Sequence, residues 1–369
     1  MNALCSVIRE QQRPWEVSCL NLQEELDVID LAKKLTGHRV QDIYNLLLEK
    51  GWTLGTPQLL PILHGAIRLR HARMVQLLES YWRATRPDLV VSLIPNFNRE
   101  LAHSVRNSLP GVPFVTVITD LADYPPHTWI EQESEYLICG TERAVQQALS
   151  MGHAAEHVFG TSGMVLNPAF YKGPEIDCSE RRRSLGLEAD PITGLVMFGG
   201  QGSQDMLDIA QQLNGFEGLQ LIFICGRNKK LEAALRQMRF RMPVYIEGFT
   251  TQVPTYMRVA DFFIGKPGPG SISEALLLGL PVIVERNAWT LPQERFNTEW
   301  IKAKDVGIVI PSFRQIREAV CRLVQPSEFA RRRANVQMLR NRAVYEVPEI
   351  LQTILAKRKG GVLAHGLSD

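Results

Sequence analysis

DFFIGKPGPGSISEALLLGLPVIVERNAWTLPQERFN, residues 261–297, is the stretch that decides the fold of this chain. The apolar run Phe262 to Ile264 breaks at a turn holding Gly265, Pro267, Gly268, Pro269 and Gly270. Ser271 is expected to cap a helix that carries Glu274 and ends at Gly279, before a second apolar run from Val282 to Val284. Strand, glycine turn, helix N-terminus and strand form the local design of an anion site. Free backbone N–H groups and the positive end of the helix dipole converge there. The same pattern also reads as a plain βαβ unit whose glycines only make a tight turn, and two further glycine loops favour the ligand reading.

The surroundings bound the class. At 369 residues the chain exceeds what one compact core usually holds, so two domains are expected. Hydrophobic residues make up 45% and charged ones 22%, an ordinary globular composition. A formal net charge of +2 gives no field strong enough to hold nucleic acid. Six cysteines are scattered without metal-finger spacing, several in apolar runs, which reads as free thiols in a reducing cytoplasm. No apolar run approaches a membrane span and no signal peptide is read at the start. The expectation is a cytoplasmic chain that touches a membrane only peripherally.

Along the chain, predicted strands alternate with helices. In the first half they are Glu16–Leu22, Leu89–Ile94, Phe114–Ile118, Tyr136–Cys139 and, more weakly, His157–Phe159. In the second half they are Gly194–Phe198, Leu219–Cys225, Val244–Ile246, Phe262–Ile264, Val282–Val284 and Gly307–Ile310. Short apolar strands separated by helices imply parallel sheets covered on both faces. Two such α/β units in tandem make two Rossmann-like domains with ligands at the carboxyl ends of the strands. The expected division is 1–170 and 171–369, with the linker near Asn167–Cys178; the resemblance described below implies acceptor binding for the first part and donor binding for the second. A Rossmann-like domain normally opens on a strand leading into a glycine loop, whereas this chain opens on a predicted helix, Ala3 to Glu10. The first strand and its loop are therefore expected to be missing from the sequence.

Gly199-Gly200-Gln201-Gly202-Ser203 directly follows a predicted strand and precedes a helical pattern. The next strand ends in Arg227, Lys229 and Lys230 where a dinucleotide site would want an acidic residue, which argues against NAD and leaves a phosphorylated ligand open. Those cations also read as a solvated helix start. A third turn, Glu247-Gly248-Phe249-Thr250, is placed to lay backbone amides and a ring beside a nucleobase, or is an ordinary loop. In the first half, Asp120 and His127 bring a carboxylate and an imidazole to a strand's carboxyl end, the groups a proton transfer needs. Trp129, Asn96 and Asn98 lie nearby for an acceptor, although a lone Asp after a strand is also a helix cap. No close His/Cys/carboxylate cluster suggests a metal. Between Gln41 and Leu78, Trp52 and leucines stand beside Arg68, Arg70, His71 and Arg73, which suits a membrane surface or a helical core with solvated arginines.

Together these motifs resemble a family. The chain looks like a GT-B nucleotide-sugar glycosyltransferase of the monogalactosyldiacylglycerol synthase type, related to the N-acetylglucosaminyltransferase that forms lipid II. The matching stretches include Gly199–Gly202, Ile224–Leu231, Glu247–Phe249, Gly268–Ala275, Gly279-Leu280-Pro281, and Gln293-Glu294 with Asn297. In the first half Val117–Leu121 and His127-Thr128-Trp129 are similar too. The resemblance implies that Glu274 holds the ribose hydroxyls of a uridine nucleotide and that Gly268, Gly270 and Ser271 face its diphosphate. Gly199, Gly200, Gln201, Gly202 and Arg227 would complete the donor site, with Gly248 and Phe249 at the base and Gln293 and Glu294 at the sugar. It further implies a lipid acceptor such as diacylglycerol at the membrane surface, metal-independent inverting transfer, and no cofactor beyond the UDP-sugar co-substrate. Two departures stand out: the family's amino-terminal glycine loop with its His has no counterpart, and the stretch Leu121–His127 is a residue longer. A non-hydrolysing UDP-sugar epimerase, or a UDP-sugar-binding module with impaired catalysis, are the alternatives.

Overall fold

The computed structural model describes residues 1–22, 56–173 and 177–365; at the helical positions 56–70 and 359–365 only the backbone is described. The chain forms two compact units, one of Met1–Val165, Leu291–Gln293 and Arg342–Asp369, the other of Leu166–Thr290 and Glu294–Asn341.

The first unit contains helix α1 (Asn2–Glu10), helix α2 (Thr56–Thr85), strand β1 (Val90–Ser92), helix α3 (Asn98–Ser108), strands β2 (Phe114–Val117) and β3 (Tyr136–Cys139), helix α4 (Glu142–Ser150) and strand β4 (Val158–Gly160). The four strands pair in parallel in sequence order. Strands buried on both faces are nearly continuous apolar runs, and β2 and β3 are buried at every position, Thr116 included. Trp82, Leu78, Leu101, Val105 and Phe114 pack α2 and α3 onto this sheet. The Trp82 indole N–H donates to Ser104 Oγ at 2.8 Å, so the polar edge of a buried ring is satisfied. The segment Glu16–Leu22, expected as a strand, enters no sheet; only Leu22 of its residues is buried, so its apolar alternation has no pleated surface to cover. Residues 41–55 of the apolar and basic mixture lie outside the described residues, and its positions 56–70 are described by backbone alone.

The second unit contains helix α5 (Cys178–Ser184), strand β5 (Ile192–Met197), helix α6 (Asp205–Leu213), strand β6 (Leu219–Ile224), helix α7 (Lys229–Gln237), strand β7 (Val244–Glu247), helix α8 (Val253–Val259), strand β8 (Phe262–Gly265), helix α9 (Pro269–Leu277), strand β9 (Val282–Glu285), helix α10 (Pro292–Lys304), strand β10 (Gly307–Ile310), and helices α11 (Ile316–Leu323) and α12 (Pro326–Met338). Its six strands run parallel in the order β10-β9-β8-β5-β6-β7. The chain thus builds outward from β5 to β7, crosses back, and builds outward again from β8 to β10. Leu195, Ile222, Phe263 and Val282 face one layer of helices, while Val196, Leu221, Phe223 and Phe262 face the other. Arg182 of α5 locks the sheet's lower edge, bridging Asp261 at 2.7 Å and donating to Val259 O at 2.8 Å.

The last helix, α13 (Ala343–His365), differs from the expected division at residue 171, because it belongs with the first unit. Arg13, just after α1, donates to Pro348 O at 3.3 Å and to Gln352. Ser162 N and Oγ both donate to the Glu346 carboxylate at 2.7 Å.

Helices α2 and α3 share a chain of titratable groups. The buried Glu100 carboxylate accepts from His71 Nδ1 at 2.8 Å, which leaves His71 Nε2 to accept from His103 Nδ1 at 3.0 Å. Burial first, then the neighbouring His71, hold the His103 imidazole below its ordinary value, partly opposed by Glu133. A depressed histidine contributes stability in full above the unfolded value near 6.5, and that stability is lost as the pH falls through the native value. Amide exchange in α3 should therefore accelerate, after correction for intrinsic rates, between pH 7.5 and 5.5. In His103→Gln this pH dependence should shrink markedly; an unchanged difference would show that the pair does not hold these helices.

Candidate functional site

In an open parallel sheet a ligand crevice forms outside the carboxyl ends of the strands where their order reverses, here between β5 and β8. The loops after both strands carry the glycines singled out above. After β5, Gly199 and Gly200 are exposed, and a Cβ on either would meet nothing within 4 Å. Gly202 has φ +63°, and a Cβ there would lie 2.8 Å from Cys225 O. Opposite it Gly226, at φ +61°, would place a Cβ only 2.3 Å from Gly200 O. Two loops this close tolerate only glycine, and Arg227 N stitches them together by donating to Gly200 O at 2.8 Å. Gln201 is exposed at the crest.

After β8 the chain turns at Lys266-Pro267-Gly268 into α9. Gly268 occupies the N-cap position and the cap makes no side-chain hydrogen bond, so the amides of the first turn stay available. Ser271 lies inside the first turn and is not the cap, because the preformed φ of Pro269 starts the helix two residues earlier. Around Gly270 a Cβ would again meet nothing within 4 Å. Glu274, one turn further along, is half-buried; among the described residues its carboxylate has no hydrogen-bond or ion-pair partner, and burial alone pushes its carboxyl up to about 7. A carboxylate raised without any compensating cation is an acceptor waiting for donors.

Beyond β7, Glu247 accepts from Tyr256 and Tyr245 hydroxyls at 2.7 and 2.9 Å and from Gly248 N at 2.9 Å. Its carboxyl lies below the usual range: burial opposes this, and those hydrogen bonds outweigh it. The anchored turn projects Phe249, which is 55% exposed, and the Arg227 guanidinium stacks over its ring at 4.4 Å. The sequence pattern did not single out Glu247, Tyr245 and Tyr256 as a support; their spacing along one strand and the next helix was its only signal. On α10, Glu294 Oε1 lies 3.7 Å from where a Gly268 Cβ would sit, in the same unit. Gln293 falls on the other side of the division, with the first unit.

In the first unit the candidates have different employments. Asp120 accepts the Trp129 indole N–H at 2.7 Å, and burial raises its carboxyl above the usual range against that hydrogen bond. Trp129 is 2% exposed and belongs to the core, so it is not an open acceptor platform. Asn98 is fully buried between Ser92 Oγ at 2.6 Å and Trp129 O at 3.0 Å, and it orders the loop instead of facing a ligand. His127 is exposed with φ +64°, and its N–H donates to Asp123 Oδ2 at 2.9 Å. Asn96 also adopts a left-handed φ of +70° and donates its N–H to Thr128 O at 2.7 Å, tying the loops after β1 and β2 together. Asp123, seen in the sequence only as one of the residues beyond β2, had no role read for it there. Its buried carboxylate gathers the N–H groups of His127, Thr128 and Trp129 at 2.7–3.0 Å, a role that only the folded loop reveals. No hydrogen bond joins the Asp120 and His127 side chains among the described residues.

Residues 194–288, which span β5 to just past β9, match the glycosyltransferase family 28 C-terminal domain. The second unit carries a family 28 glycosyltransferase domain. The chain is 30% identical over 285 residues to a probable chloroplastic monogalactosyldiacylglycerol synthase of Glycine max, covering 74% of this chain and 53% of that protein. This chain spans about half the length of the curated relatives it matches. Among solved structures, Acinetobacter baumannii MurG aligns with TM-score 0.57 at 11% identity, covering 78% of this chain and 79% of that one. The UDP-GlcNAc 2-epimerase of Neisseria meningitidis bound to UDP-GlcNAc aligns with TM-score 0.55 at 16% identity, covering 78% and 81%. These likenesses show the fold, an α/β chain with two Rossmann-like parallel sheets, and the family resemblance read from the motifs is borne out.

Within the family 28 domain, the raised Glu274 carboxyl has a signed consequence. The native state binds a proton that the unfolded chain has released between pH 4.5 and about 7, so stability falls as the pH rises across that window. Glu274→Gln removes the penalty, and its melting temperature at pH 8 should exceed that of the wild type. A variant no more stable than wild type at pH 8 would show that Glu274 is not a cost to the fold.

Proposed function

We propose that this chain transfers a hexose from a UDP-sugar to a lipid acceptor such as diacylglycerol, at a membrane surface, with inversion and without a metal ion. The observation that carries the reading is the unpartnered Glu274 carboxylate beside the uncapped first turn of α9. Ribose hydroxyls would donate to Glu274 while the diphosphate accepts from the amides at Gly268–Ser271 and, across the switch point, from the 199–202 loop. Phe249 and Arg227 would flank the uracil, and Glu294, with Gln293, would receive the sugar hydroxyls. In the displacement, the acceptor oxygen bonds to the anomeric carbon as its bond to the departing UDP oxygen breaks. The acceptor proton passes to a base in the first unit, Asp120 or His127, and the helix dipole of α9 stabilises the charge gathering on the diphosphate.

The likeness to the named synthase runs over 285 residues, well beyond the family 28 span, which supports a lipid acceptor over a second sugar. Among the described residues no helix is long and apolar enough to cross a membrane, so lipid would be met from one face. The Trp52–Arg73 stretch is the segment proposed to meet it.

Calorimetry with UDP, and radiolabelled transfer from UDP-hexose into diacylglycerol vesicles, test the reading together. Hydrogen bonds to a charged group contribute roughly 1.5–3 kcal/mol each, so Glu274→Ala should weaken UDP binding by about tenfold or more. Label should appear in lipid with vesicles present. Conversion of the sugar nucleotide without lipid would mark an epimerase, and UDP binding without any product would mark a binding module.

A further inference from the structure

We propose that Asn297 is a positioning residue that sets the diphosphate-facing turn against the helix bearing Glu294. The proposal deepens the donor-site reading above and rests on it. Since Gly268 offers no side chain to cap α9, the direction of the first-turn amides depends on what grips the turn from outside. From the strand side, Gly265 packs so closely that a Cβ would lie 2.5 Å from Met197 O. From the other side, among the described residues, the grip is one hydrogen bond: Asn297 Nδ2 donates to Pro267 O at 2.8 Å.

The Asn297 side chain is 1% exposed, and its Oδ1 is buried with no partner. A buried acceptor without a donor destabilises a fold, and an apolar side chain would fill the position without that penalty. The amide is therefore at this position for its N–H, which leaves the oxygen orphaned. Glu294 lies three residues earlier on α10, hence on the same helix face, and its carboxylate approaches Gly268. Of the consecutive turn residues, Pro267 is gripped by Asn297 and Gly268 is faced by Glu294, one turn away on the same helix. Asn297 fixes how far the sugar-side carboxylate stands from the diphosphate-side amides.

Asn297→Leu and Asn297→Asp separate positioning from mere packing. With leucine the melting temperature should stay within a few degrees of wild type, while UDP affinity by calorimetry falls about tenfold, the scale of one lost hydrogen bond that orients a charged ligand. In Asn297→Asp the carboxylate faces a carbonyl at pH 8 and affinity should fall similarly. At pH 5.5 the protonated carboxyl can donate to Pro267 O, and affinity should recover toward that of wild type measured at the same pH. This pH rescue carries the test if the leucine variant does not fold. Folded variants that bind UDP within twofold of wild type at both pH values overturn the proposal. A wild type that binds no UDP overturns the donor-site reading itself, which is a distinguishable result.

Discussion

The reversal of strand order between β5 and β8 is the constraint on which the second unit depends. A sheet covered by helices on both faces has no room for a ligand except where neighbouring connections depart to opposite sides. Both glycine loops stand at that reversal. The loops around them are each tied down locally: Gly226 packs against Gly200, Glu247 braces the Phe249 turn, and the amide of Asn297 grips Pro267. Glu274 is the exception in being unsupported, and an unsupported carboxylate at such a place trades stability for readiness.

The second unit was legible because its design repeats short-range rules. Strands buried on both faces read as unbroken apolar runs, and the turns that follow them need glycine. β5 to β10 were therefore placed to within a residue or two from the sequence. The helix start after Gly268 was misjudged by a competing rule: a serine looked like a cap, whereas the proline before it had already begun the helix. In the first unit the chemistry-bearing types were visible but their employment was not. Asp120, Trp129 and Asn98 spend their polar atoms on one another's loops, and this depends on contacts across six to thirty-one residues that no local pattern encodes. Glu16–Leu22 failed for a related reason, since alternation makes a strand only where a partner edge exists to receive it.

Left-handed backbone at Asn96 and His127 sits in the same pair of loops. Non-glycine residues held there store of order 1–3 kcal/mol each, and the Asp123 carboxylate with its three amide donors is what keeps the second loop in place. An exposed imidazole on a braced, strained turn is better oriented than the same residue on a free loop. That is a physical reason to place acceptor chemistry near it.

The return of α13 to the first unit means that the chain leaves that unit after Val165 and rejoins it at Arg342, with Leu291–Gln293 also grouped with the first unit in between. The first exit and the last return lie side by side, since Arg342 N donates to Ser162 Oγ at 2.7 Å. A short splice could therefore close the first unit on itself, and the stretch between the crossings could be exchanged for that of a relative without breaking a strand. Architecture of this kind lets most of the second unit be shuffled as a cassette while the first unit keeps its own closing helix.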